Sequence, residues 1–377
     1  MSEPANTLRI RSAAELFAAL AHPDSAVRTA VITHIGQQPD QALAFGEHQG
    51  RNVVDALIDA ANASSDKGET MGILWAMQSF PDERLARYCA ECLLRSTDDR
   101  QSMFLYHYLT THEVPWQRDV LLPLLWQTER LTNAELAAQL LAVANCEDAD
   151  RIRISAILGR NGAALWAFDS NKLPLWLDEL RGSWADNARE CVTAWGQEAY
   201  ASLVTLWEEL DHRSQQWLIR WGAGQNFPER LALIDLALQS HCNEVIEEAL
   251  RDTEAVRAMH NTLTTPLETL LSHQSAAIRA GAVRAGAQPE DWQDILQTES
   301  DPSVLGACMA ALAHDLGSRA VPLLLGALEH EEWAVVAAAT EALAGLGEDA
   351  VTEVAPMVEH QALQVRVAAD RIRSANQ

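Results

Sequence analysis

A short pattern recurs along this chain of 377 residues: a polar turn, an aliphatic residue, usually an arginine, then small residues. It stands in His22-Pro23-Asp24-Ser25-Ala26-Val27-Arg28 and in Asp148-Ala149-Asp150-Arg151-Ile152-Arg153. It returns from His273 to Ile278-Arg279, in Asp301-Pro302-Ser303-Val304-Leu305, and from His360 to Val365-Arg366. The aliphatic markers Ile278, Val304, Val335 and Val365 follow one another at 26, 31 and 30 residues. Val27 and Ile152 hold the same place in earlier units, and Leu85 and Val245 are weaker matches. A unit of this length cannot bury its apolar face alone. It must stack on its neighbours, which frees a long chain from closing one compact core.

Ala and Leu dominate the apolar 48% and β-branched runs are scarce, so the units read as helix pairs. Ser12-Ala13-Ala14-Glu15 reads as a capping box before an apolar face of Leu16, Phe17 and Leu20. Thr265-Pro266-Leu267-Glu268 reads as another, with Thr265 as cap and Pro266 at the first helical position. Asp301-Pro302 repeats the cap-then-proline signal. Helices are expected over 321–329, 335–346, 351–359 and 362–372, with Gly345 and Gly347 marking one end. Small residues such as Ala280, Ala282, Ala338 and Ala339 let neighbouring helices approach, and the aliphatic marker fills the gap between layers.

The turn-then-Val-Arg signature resembles the HEAT-repeat family, including the short HEAT-like repeats of bilin lyase-type proteins. It is clear in residues 12–36 and 265–373 and looser between about 37 and 264. The resemblance implies an all-α, right-handed α-solenoid of antiparallel helix pairs. It also implies that the second helix of each pair lines the concave face, and that the surface serves protein recognition. We expect one HEAT-like solenoid over 1–377.

The middle, about 160–225, is less regular and rich in tryptophan. Trp166, Trp176, Trp184, Trp195, Trp207, Trp217 and Trp221 crowd there between breakers such as Pro174, Gly182, Gly196 and Pro228. Helices are expected near 172–181, 185–195, 198–210, 213–222, 228–239 and 243–251. Most of these rings read as core filling. Trp217 and Trp221 share one helix face beside Arg220, and such a pair also suits a binding hot spot. Trp333 follows the turn acids Glu331 and Glu332 and is expected to be exposed.

The net charge of −25 sets 53 acids against 28 bases, and Lys67 and Lys172 are the only lysines. A nucleic-acid binder needs a basic stripe to displace counterions, and an anionic membrane asks the same. Neither is an expected partner. An acidic surface instead keeps a protein soluble or steers a basic protein. No run of 18 apolar residues suggests a membrane span. The polar start, Met1-Ser2-Glu3-Pro4-Ala5-Asn6, lacks the apolar segment of a signal peptide. The cysteines form no disulfide framework, which suits a reducing cytoplasm.

Catalytic motifs are weak. His22, His273, His330 and His360 each stand five residues before a marker, and they read as turn caps. Their units are a helix-packing distance apart, about 10 Å, too far to share a metal. Deoxyhypusine hydroxylase, a HEAT-repeat enzyme, carries His-Glu pairs after the Val-Arg element. The corresponding residues here are Thr29-Ala30, Ala280-Gly281, Ala337-Ala338 and Val367-Ala368, and His330-Glu331 lies before its marker instead. Cys89-Ala90-Glu91-Cys92 lacks the second pair a zinc site needs. No GxGxxG or GxxxxGK[ST] segment occurs.

These features predict a non-catalytic interaction scaffold, adaptor or chaperone that holds a partner protein, a basic one by charge, on a curved acidic surface. Trp217, Trp221, Glu331, Glu332 and Trp333 are the candidate contacts. No catalytic, cofactor or metal residue is assigned, and a cytoplasmic monomer is expected. Two other readings stay open. One is an immunity-type inhibitor whose acidic face covers a basic toxin. The other is an enzyme or small-ligand binder, bilin-lyase-like, built on the Trp-rich middle; a pocket there with several convergent polar groups would favour it.

Overall fold

Many of the helices in this chain start where a short polar side chain accepts the first unpaired amides. Asp24 accepts from the Ala26 amide at 2.9 Å, and Asp82 from that of Arg84 at 2.8 Å. Asp301 caps Ser303 at 2.9 Å, with Pro302 at the first helical position. Asp66, Asp98 and Asp211 act alike. Part of the acidic excess is therefore spent on helix starts, where carboxylates also suit the helix dipole.

The computed structural model describes residues 10–112, 118–126, 131–142 and 146–376. The polar start at 1–6 lies outside the described residues. Two compact units occur, Met1–Trp195 and Gly196–Gln377. The first holds α1 Ala13–Leu20, α2 Ser25–Gln37, α3 Pro39–Ala44, α4 Val53–Ala63, α5 Lys67–Met77, α6 Glu83–Arg95, α7 Asp99–Thr111, α8 Arg118–Leu125, α9 Leu131–Leu141, α10 Asp148–Leu158, α11 Arg160–Ala163, α12 Leu173–Arg181 and α13 Ala185–Ala194. There α1, α4, α6 and α8 pack in succession as one layer, and α2, α5, α7 and α9 as the other.

The second unit holds α14 Gln197–Thr205, α15 His212–Ala223, α16 Arg230–Leu238, α17 Asn243–Leu250, α18 Thr253–Met259, α19 Ala276–Arg284, α20 Trp292–Thr298, α21 Pro302–Leu316, α22 Val321–Ala327, α23 Trp333–Gly345, α24 Glu348–Val354 and α25 Leu363–Ala375. The odd-numbered helices α15 to α25 pack one on the next as a continuous layer. The shorter helices cover its other side, with a 3-10 segment at Leu267–Ser272 in one place. Each unit is thus a stack of helix pairs, an α-solenoid, with no named strand among the described residues.

The aliphatic markers do what packing requires of them. Ile152, Ile278, Val304, Val335 and Val365 are buried between layers, and so are Leu85 and Val245. Val27 is the exception, being only half-buried. Small residues permit the close layers: a Cβ on Gly281 would meet Leu250 at 3.0 Å.

The recurring turn is a hydrogen-bonded device, and the four histidines are its caps. Nδ1 of His22, His273, His330 and His360 accepts from the amide two residues on, at 3.1, 3.0, 3.0 and 3.2 Å. The arginine after the marker closes the turn from inside. Nη1 of Arg28, Arg279 and Arg366 donates to the carbonyl of that same histidine at 2.7, 2.8 and 2.8 Å. Each also reaches the next carbonyl. Arg28 and Arg279 then clamp Glu69 and Glu299 with two hydrogen bonds apiece.

Several local expectations need correction. Thr265 does not cap: the segment behind it is a 3-10 helix with no side-chain cap. Glu268 instead meets Nε2 of His260 at 3.4 Å. At the first helix Ser12 accepts from Glu15 as expected, but Glu15 reaches back to the Arg11 amide, one residue short of a reciprocal box. The stretch 351–359 is not one α-helix, because Pro356 turns its second half into a 3-10 segment, Ala355–Glu359.

Candidate interaction surfaces

The acids Glu331 and Glu332 sit in the turn that enters α23, and Trp333 is its first residue. All three side chains are exposed, Trp333 to 54%. The position is set by the repeat: the turn must leave the core before Val335 re-enters it. Leu363 opens α25, the next helix of the layer, and is 66% exposed. It stands two residues before its marker, as Trp333 does. Glu329 adds a third acid, 3.4 Å from Nε2 of His360. The surface here carries an exposed indole next to two carboxylates, with an exposed leucine at the equivalent position of the next helix.

Trp217 and Trp221 are different. They stack on one face of α15 with centroids 5.3 Å apart, as their spacing predicts. Both are half-buried. Trp221 also meets Tyr200 edge-on at 5.2 Å and Phe227 at 5.8 Å. Arg220 pairs with Glu248 at 3.1 Å. This cluster closes the stack between α14 and α16 and leaves one flank open. It does not join the Trp333 surface. Helices α17, α19 and α21 intervene, so the two lie about 40 Å apart at ordinary packing distances. The structure brings Glu331, Glu332 and Trp333 together and leaves Trp217 and Trp221 as a separate patch.

Other tryptophans fill the core, with Trp176, Trp184 and Trp207 all buried. Two concavities stand out, and neither was visible as a spacing. In the first unit a cavity of about 270 Å³ lies among Trp166, Trp176 and Trp195, with Asp148, Arg151, Asp169 and Lys172 in its wall. In the second unit one of about 780 Å³ opens over the small residues Ala307, Ala310 and Ala311. Its wall carries a polar chain: His260 to Glu268 at 3.4 Å, Glu268 to the Gln288 amide at 3.4 Å, Gln288 to Asp315 at 3.2 Å, and Asp315 to His314 at 2.7 Å.

Burial pushes the thiols of Cys89 and Cys92 above the usual range, and pushes Cys191 and Cys308 up to about 12, the opposite of what a reactive thiolate needs. Among the described residues, no three His, Cys, Asp or Glu side chains gather closely enough to hold a metal.

Stacked helix pairs define a class, the α-solenoid. Residues 289–371 match the model of the family described as HEAT repeats. No curated protein matches the sequence. Among solved structures, an engineered protein is 16% identical over 97% of this chain and 99% of its own, with a TM-score of 0.28. Kap121p is 11% identical over 96% of this chain and 44% of its own, with a TM-score of 0.40. Kap95p, in a structure concerned with its binding of RanGDP, is 13% identical over 95% and 50%, with a TM-score of 0.37. This chain therefore spans about half the length of either Kap protein. The helix pairing itself makes each unit an α-solenoid.

Proposed function

We propose that the protein is a non-catalytic, cytoplasmic scaffold or adaptor that binds a basic partner protein through the turn at Glu331, Glu332 and Trp333. One observation carries this reading: Trp333 is more than half exposed where the turn leaves the core, with two exposed carboxylates beside it. An indole that loses water on binding is an efficient anchor, and unpaired acids around it raise the encounter rate with a cation-rich surface. Leu363 extends the apolar patch to the next helix. Trp217 and Trp221 serve as a second, weaker contact for a long partner.

The test is affinity capture on the full chain, with salt-stepped elution and mass spectrometry, run beside Trp333→Ala and the double variant Glu331→Lys, Glu332→Lys. A basic protein recovered in stoichiometric amount on the parent, and lost on both variants, supports the proposal. The charge variant slows association and flattens its salt dependence, while Trp333→Ala speeds dissociation. A partner retained equally by all three chains overturns the assignment of this surface.

A further inference from the structure

We infer that the cavity of the first unit binds a small zwitterion with an aromatic body, the chemical class of the free aromatic amino acids. Its 270 Å³ falls just below the range of roughly 300–1,000 Å³ found for drug-sized ligands, so it suits an amino-acid-sized one. Three indoles make the apolar wall, and two of them are fixed in place. Nε1 of Trp195 donates to the Ala163 carbonyl at 3.3 Å. Trp176 meets that ring edge-on at 5.1 Å, and Phe168 supports it at 5.3 Å. A planar guest packed against these held rings gains aromatic contact without reorganising them.

The polar wall points the same way. Ser155 on α10 is 2% exposed and lines the cavity. A hydroxyl in that wall can donate to or accept from a ligand atom. Asp169 uses Oδ1 to accept from the backbone and side chain of Asn171, both at 3.0 Å. Its Oδ2 accepts from no described group and is open to an ammonium. The Arg151 guanidinium lies 6.0 Å over the Trp166 ring, and Lys172 pairs with Asp148 at the rim.

The charges decide the class. Two acids face two bases in this wall, although the chain as a whole carries −25. A guest with net positive charge meets Arg151 and Lys172, and one with net negative charge meets Asp148 and Asp169. A guest carrying both charges, separated by a few bonds, finds a partner for each. This inference is independent of the partner surface on the second unit.

Calorimetric titration of the full chain with L-phenylalanine and L-tryptophan tests it. Phenethylamine, 3-phenylpropionate and L-alanine serve as probes that lack one element each. We expect one-to-one binding of an aromatic amino acid, with each control weaker by about tenfold or more. Asp169 is exposed, so Asp169→Asn is expected to fold; it should weaken L-phenylalanine about tenfold and leave 3-phenylpropionate unchanged. No saturable heat from either amino acid at millimolar concentration overturns the inference. So does phenethylamine or 3-phenylpropionate binding as tightly as L-phenylalanine.

Discussion

Nε2 of Gln364 donates to the carbonyl of His330 at 3.1 Å, the carbonyl that an arginine of the same unit holds elsewhere in the chain. The unit of His330 has Val336 where Arg28, Arg279 and Arg366 stand in theirs, so it cannot close its own turn. The glutamine comes from the following helix, α25, and closes it from outside. The turn beside Trp333 is therefore held by the neighbouring repeat. We expect Gln364→Ala to cost about 1 kcal/mol in urea denaturation and to raise amide exchange at Glu331 and Glu332. Unchanged exchange there would show that His330 alone holds the turn.

The arginine clamps make the fold acid-sensitive. A double hydrogen bond from Arg279 holds the Glu299 carboxyl below the usual range, and Arg28 does the same for Glu69. A carboxylate with a depressed folded pKa stabilises the protein fully above its unfolded value of about 4.3, and that contribution is lost as pH falls through the folded value. Stability should therefore drop below about pH 4. Glu299→Gln should lose stability at pH 7 and show a shallower drop between pH 5 and pH 3, read by urea denaturation at each pH.

Removing Arg279 is harsher. Its side chain is 18% exposed and serves two carbonyls as well as Glu299. Arg279→Ala leaves a mostly buried carboxylate and an open turn. We expect a loss of about 2 kcal/mol or more in the same denaturation measurement. Arg366→Ala, with carbonyl partners only, should cost less.

Gly222 and Tyr200 form a steric lock. A Cβ on Gly222 would lie 2.2 Å from the Tyr200 hydroxyl, and Tyr200 is fully buried. That hydroxyl has no hydrogen-bond partner among the described residues. Gly222→Ala should cost about 2 kcal/mol by overpacking. Tyr200→Phe should be neutral or slightly stabilising, and should rescue part of the alanine defect in the double variant. A thermal-shift series over the four chains reads this directly; additive effects would argue against the lock.

Two tryptophans give a control for surface against core. Trp333→Ala should change stability by less than about 0.5 kcal/mol, and Trp176→Ala should cost about 3–5 kcal/mol. Equal losses in chemical denaturation would mean that Trp333 supports the fold and is not free for a partner.

Helix pairing was legible in the sequence because its determinants are local. Caps, prolines and the period of apolar residues act within one or two turns of helix. Hence the helices expected near 172–181, 185–195 and 243–251 match Leu173–Arg181, Ala185–Ala194 and Asn243–Leu250 within a residue or two. The histidine caps were legible for the same reason, since donor and acceptor are two residues apart. The arginine staples were missed, although the recurrence of arginine directly after the marker was their signal.

Tertiary structure decided the rest, because burial depends on what stands opposite a side chain. Val27 and Val365 occupy the same place in the repeat, yet one is half-buried and the other fully buried. Trp176 and Trp333 are the same residue type in opposite environments. Gln364 acts on a turn 34 residues away, and Trp166, Trp176, Trp195 and Ser155 meet around one cavity from separate elements. The sequence by itself determined a stack of helix pairs, since each pair exposes an apolar face that only another pair can cover. Which residues that stack leaves open to a partner or a ligand is set by contacts between units distant along the chain, and no local pattern encodes them.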